Sequence, residues 1–163
     1  MAQDCVTEGG RGLMITADRN IVLFNKYHDP VGLRGVFIPT AISGVSYHES
    51  LGPAQNDINR SQQFTYKIRI PVSATIQGDR TYIKADKFKA SPEGHWTLHG
   101  GDYVLVMDPG AEAPELTGTY TEMRVKELAG TGDYSAPEIL VMDYADNTLR
   151  GSDATRHWRI GGK

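Results

Sequence analysis

Hydrophobic and polar positions alternate with a period of two along much of this chain, the mark of strands with one face buried. In QFTYKIRI (63–70), Phe64, Tyr66, Ile68 and Ile70 share one face, while Thr65, Lys67 and Arg69 share the other. That pattern predicts a half-buried antiparallel strand, ended by Pro71. NIVLFNKYH (20–28) is rich in β-branched and aromatic residues and runs into the turn signal Asp29-Pro30. GVFIPTAISGVSY (35–47) predicts a second extended region, bent at Pro39 or Gly44. YVLVM (103–107) is almost wholly apolar and reads as a central strand. WTL (96–98) reads as a strand fragment before a turn over 99–102, with Asp102 capping that turn through its side chain. Further strands are expected over 122–128, 139–145 and 156–160, with a short strand leading into a turn over 81–88, and the one helix expected is a turn or two within 113–120. The sum is a mainly β chain: a single small β-barrel or sandwich of about seven or eight short antiparallel strands, with at most one or two short helices and long loops.

Two polar stretches, 48–62 and 147–155, interrupt this pattern, and structureless loops of that length in a compact domain are functional or disordered. Asn56, Asp57 and Arg60 in the first are candidate partner contacts. Gly9-Gly10-Arg11-Gly12 marks residues 1–14 as a flexible N-terminal arm ahead of a domain spanning 15–163.

Composition narrows the function classes. A chain of 163 residues fits one domain with its own core. The net charge of −3 and the absence of a basic run argue against a dedicated nucleic-acid binder, whose affinity rests on clustered Lys and Arg. A protein that lines a DNA passage remains compatible with that charge. Cys5 is the single cysteine, so neither an intramolecular disulfide nor a cysteine-based zinc site is expected. The first residues have no apolar core of a signal peptide, and no apolar run reaches ~18 residues, so no secretion signal or spanning helix is expected.

Candidate chemistry is sparse. Of the five histidines, only His95 and His99 lie close in sequence. Their Gly-rich surroundings argue against a helix, and on a strand they would be ~13 Å apart, too far to share a metal. No GxSxG elbow, HExxH frame or strand–loop–helix phosphate cradle occurs, and Cys5 sits on the expected arm. No catalytic, metal or cofactor site is predicted, and the chain reads as a non-enzyme. The two His-Trp pairs, 95–96 and 157–158, read as strand anchors. Trp96, Trp158 and Ile160 are candidate core anchors, while alternation turns His157 and Arg159 outward as candidate partner contacts. Gly161-Gly162 is expected to free Lys163 from the sheet.

Several segments resemble, in order, a small family of phage and prophage proteins. They are ITADRNIVLFNKYHD, IPTAISGVSYHES, Tyr66 to Pro71, WTL at 96–98 followed by Gly101-Asp102-Tyr103-Val104, and the ending DYADNTLRGSDATRHWRIGGK after Ile139 to Met142. Together they cover residues 15–163. The family is similar to proteins encoded in the head–tail module of tailed phages of Gram-positive bacteria, near minor capsid and tail genes. The resemblance implies a virion structural protein of the neck, head–tail connector or head-closure (stopper) type. It would form a ring with copies of itself, dock on neighbouring head–tail or tail proteins, and touch DNA in the channel only passively. Its expected place is the virion neck, with the host cytoplasm during assembly, and no membrane is involved. A tail terminator or tail-completion protein is the alternative within that class. A ligand-binding β-barrel, for example one taking carbohydrate on exposed Trp96 and tyrosines, is the alternative from another class, and a hydrolase assembled from distant residues is a weaker one.

Overall fold

A computed structural model describes residues 17–29, 31–32, 34–49, 66–132, 134–146 and 156–163. Strand β1 (Arg19–Asp29) and the long strand β2 (Arg34–Glu49) form an antiparallel hairpin, with Ile21 opposite Ile42 and Leu23 opposite Thr40. β3 (Tyr66–Pro71), β4 (Thr75–Ile76), β5 (Thr81–Tyr82), helix α1 (Ala85–Phe88), β6 (His95–Trp96), β7 (Tyr103–Val106), helix α2 (Glu122–Ala129), β8 (Ile139–Asp146) and β9 (His157–Gly162) follow. Hydrogen-bonded neighbours run β1-β7-β8-β9-β3-β2, and β2 pairs back to β1, so six strands close into an antiparallel barrel. Closure leaves these six strands no free edge. β4 adds two residues to the side of β2, and β5 and β6 form a small parallel pair.

Two irregularities turn the corners. Between Asn20↔Ser43 and Arg19↔Val45 the register slips by one residue, leaving Gly44 as a bulge with φ +87°. Its N–H donates to Asn20 Oδ1 at 3.2 Å. A bulge of this kind needs a residue tolerant of positive φ and bends its strand. Beyond it β2 leaves β1 and pairs with β3 through Ser46 to Glu49. Of the two bends expected from sequence, the structure uses Gly44, and Pro39 stays in register opposite Phe24. A second slip, between Val141 and Asp143, lets β8 leave β7 for β9.

The core has two layers. Ile21, Leu23, Ile42, Ile68, Ile70, Val104, Val106, Ile139, Val141 and Ile160 fill the barrel interior, with Trp96 and Leu98 among them. On the outside of β1, β2 and β7, Val22, Phe24, Phe37 and Leu105 form a second cluster with Val125 of α2, and Ala113 and Leu116 pack on it. β1 and β7 are therefore apolar on both faces, which explains the unbroken apolar run of β7.

Three expectations are corrected. Residues 122–128 are helical, not a strand. The Thr121 hydroxyl accepts from Arg124 N–H at 3.2 Å as an N-cap, Glu122 and Lys126 pair at 3.4 Å one turn apart, and Val125 supplies the buried side. Residues 113–120 hold no helix. Pro114 and Gly118 (φ +82°) keep the segment irregular, and Tyr120 bridges Phe37 through paired backbone bonds of 2.7 and 2.9 Å. Lys163 is not freed by the preceding glycines, because its backbone exchanges hydrogen bonds with Leu140 at 2.9 and 3.2 Å. The 81–88 segment divides into the two residues of β5 and the single turn of α1. The expected arm, 1–14, and most of the two expected loops lie outside the described residues.

Candidate functional site

The barrel has two unlike walls. Strand order places β7-β1-β2 opposite β8-β9-β3 around the closed ring. The first wall is covered on its outside by α2 and the segment carrying Ala113 and Leu116. The second has no such cover among the described residues, and its outward positions carry charge.

On the second wall, Lys67 and Arg69 of β3 and Arg159 of β9 are all exposed. Register sets Arg69 directly across from Arg159, and Lys67 across from Gly161. Gly161 in turn faces Asp143 of β8. With no side chain on Gly161, the surface dips there into a depression of about 230 Å³ edged by Lys67, Arg69, Asp143, Tyr144 and Arg159. Like charges directly across an antiparallel pair repel. Among the described residues neither arginine has an ion-pair or hydrogen-bonding partner, since the ion pairs there, Arg124–Glu127 and Lys126–Glu122, both lie on α2. Met142 and Tyr144 add apolar surface beside the charges, at 45% and 38% exposure.

The segment laid over the first wall is acidic. Segment 108–118, DPGAEAPELTG, contains Asp108, Glu112 and Glu115 and no Lys or Arg. It is held on that side by Asn20 Nδ2 donating to Ala111 O at 2.7 Å and Gln77 Nε2 donating to Leu116 O at 3.0 Å. Glu112 and Glu115 are exposed.

At one end of the barrel lies a buried polar network. The Asp102 carboxylate accepts from Lys26 N–H at 2.8 Å, from Asn25 Nδ2 at 2.9 Å and from His99 N–H at 2.9 Å. Asn25 also brackets Thr97, donating to its carbonyl at 2.7 Å and accepting from its N–H at 3.2 Å. Burial pushes the Asp102 carboxyl up to about 6, and the three donors oppose that rise. The side-chain cap of the 99–102 turn is therefore present, and the same carboxylate also ties that turn to β1. Asp102 is engaged by two backbone N–H groups and by the Asn25 amide.

The residues singled out from sequence separate. Trp96 is 1% exposed and Ile160 2%, both in the barrel interior. Trp158 is half-buried, in edge-to-face contact with Trp96 at 4.8 Å, and Tyr82 touches both rings. Buried Trp96 is no exposed platform for a sugar, which corrects that part of the carbohydrate alternative. His157 is half-buried at the start of β9, as His95 is at the start of β6. Arg159 is exposed and meets Arg69. Asn56, Asp57 and Arg60 lie outside the described residues. Lys67 and Arg69 had been assigned a face by alternation, but their apposition to Arg159 depends on a pairing between distant segments. Asn25, buried at 1% in a strand whose neighbours are apolar, was the missed polar signal.

No curated protein and no solved structure matches this chain. Residues 15–163, essentially the whole described barrel, match the family of unknown function DUF6751, and the chain belongs to that family.

Proposed function

We propose that this protein is a non-enzymatic structural subunit that assembles head-to-tail into a ring, and that the ring serves in the neck of a tailed phage as a head–tail connector or head-closure component. The observation that carries the assembly reading is the Arg69–Arg159 apposition, unpaired and uncovered among the described residues, opposite the acidic segment 108–118. A subunit with a basic wall on one side and an acidic wall on the other is complementary to its own copy by translation and rotation, the heterologous contact that closes into rings. Charge complementarity of this kind fixes orientation and speeds encounter. The neck assignment rests on the sequence resemblance to phage head–tail proteins. The use of Asp102 to hold two backbone N–H groups and the Asn25 amide agrees with a structural role.

Light scattering after size exclusion, with electron microscopy of the same fractions, tests the assembly. Wild-type protein at low salt should run as a ring of defined size that loosens as salt screens the contact. Arg69→Glu with Arg159→Glu should give folded monomers, and adding Glu112→Arg with Glu115→Arg should restore the ring. A wild-type protein that stays monomeric at every salt and concentration would overturn the reading. A portal, capsid or tail gene beside this one would support the neck assignment, and a sugar-utilisation operon would remove it.

A further inference from the structure

The polar end of the barrel opens into a second cavity, of about 520 Å³, between the ends of β1 and β2, α1 and the strand–turn segment 97–99. That volume is in the range of small-molecule sites. Its charge is one-sided. Lys26 and His28 come from β1, Lys89 from the end of α1 and His99 from the turn, with Phe88 on the apolar side. The one carboxylate of the lining, Glu122, accepts from Tyr103 Oη at 2.8 Å and pairs with Lys126 at 3.4 Å, and it also feels the charge of Lys26.

The lining is held in place from beneath. Asp102 fixes the backbone of both Lys26 and His99, and Asn25 fixes Thr97, so three lining residues from two segments are pinned by one buried network. The Lys26 stem runs close to Gly35 and Gly101: a Cβ on either would lie 3.5 Å from its Cε or 4.0 Å from its Cδ. His99 Nδ1 donates to Gly100 O at 2.7 Å, which fixes the ring at the rim and leaves Nε2 of the neutral imidazole an acceptor. Thr97, 2% exposed, adds a buried residue to the floor of the lining.

We propose that this cavity binds a small organic anion, a phosphate monoester with an apolar or aromatic body. Lys26 and Lys89 supply its charge partners and His28 a hydrogen bond. A doubly charged group with three acceptor oxygens suits these donors, brought together from β1 and the end of α1, better than a carboxylate does. The concave, partly apolar enclosure suits a small molecule rather than a duplex backbone.

Isothermal titration with phenyl phosphate, inorganic phosphate and a duplex oligonucleotide, on the full-length protein, tests this. Phenyl phosphate should bind saturably at one site per subunit and more tightly than inorganic phosphate. Lys26→Ala with Lys89→Ala should weaken it about tenfold or more. Lys87→Ala, exposed on α1 and outside the cavity, should leave affinity within about twofold. Affinity unchanged in the double lysine variant would overturn the proposal. So would no phenyl phosphate binding at millimolar concentration, or tighter binding of the oligonucleotide through the same two lysines.

Discussion

Asp102 shows how one buried side chain can be costly and still necessary. Its carboxyl is raised from 3.8 to about 6, so the folded protein holds the proton more tightly than the unfolded chain does. The sign follows directly: stability from this group is fully present below about pH 3.8 and is lost as pH rises through about 6, a change of roughly 3 kcal/mol. Above that window the ionised carboxylate still joins β1 to the 99–102 turn through three N–H donors. Asp102→Asn can offer only one oxygen and places an NH₂ against a donor. It should therefore destabilise the protein at pH 7 by ~1–3 kcal/mol. Urea melts of both proteins from pH 3.5 to 7 should show the wild type losing stability across that window relative to the variant. Parallel pH profiles would show that the carboxyl is not perturbed.

At the scale of elements, the barrel closes where β9 meets the start of β8, and Gly162 makes that meeting possible. A Cβ there would sit 2.5 Å from Leu140 O and 2.7 Å from Ile139 Cγ2, both in positions fixed by pairing. Gly162→Ala should force these strands apart and cost ~1–3 kcal/mol in a denaturant melt. An unchanged melt would mean that the end of β9 is not held against β8. The neighbouring Gly161 differs: it faces outward and shapes the depression on the second wall. Two adjacent glycines that look alike in sequence thus do different work, one for closure and one for surface shape, because successive strand residues point to opposite faces.

Across the whole molecule, two arginines oppose each other on one wall while carboxylates gather in the segment over the other. The Arg69–Arg159 apposition should cost the free monomer ~0.2–1 kcal/mol. Arg159→Ala should accordingly leave the monomer as stable as wild type or slightly more so, with the gain shrinking in high salt, while ring formation is weakened. Melts at low and high salt beside light scattering separate the two effects. A monomer destabilised by Arg159→Ala would place this arginine in a stabilising contact within its own subunit, contrary to an assembly role.

The sequence alone determined the mainly β class and the inside-outside assignment of β3 and of Arg159 and Ile160 in β9, because period-two alternation is local and burial follows it. It misread α2 for a comparably local reason. The signals were present in Thr121, the Glu122–Lys126 spacing and Gly130, but Val125 and Leu128 are too few to impose an obvious helical stripe on so short an element. The irregular path of 113–120 and the engagement of Lys163 were settled by tertiary contacts with Phe37 and Leu140. The two candidate sites were beyond local reading altogether. Arg69 meets Arg159, and Asn25 and Asp102 meet beneath the cavity, only after strands far apart in sequence have paired. Register between such strands is fixed by barrel closure and core packing, not by the residues flanking each charge.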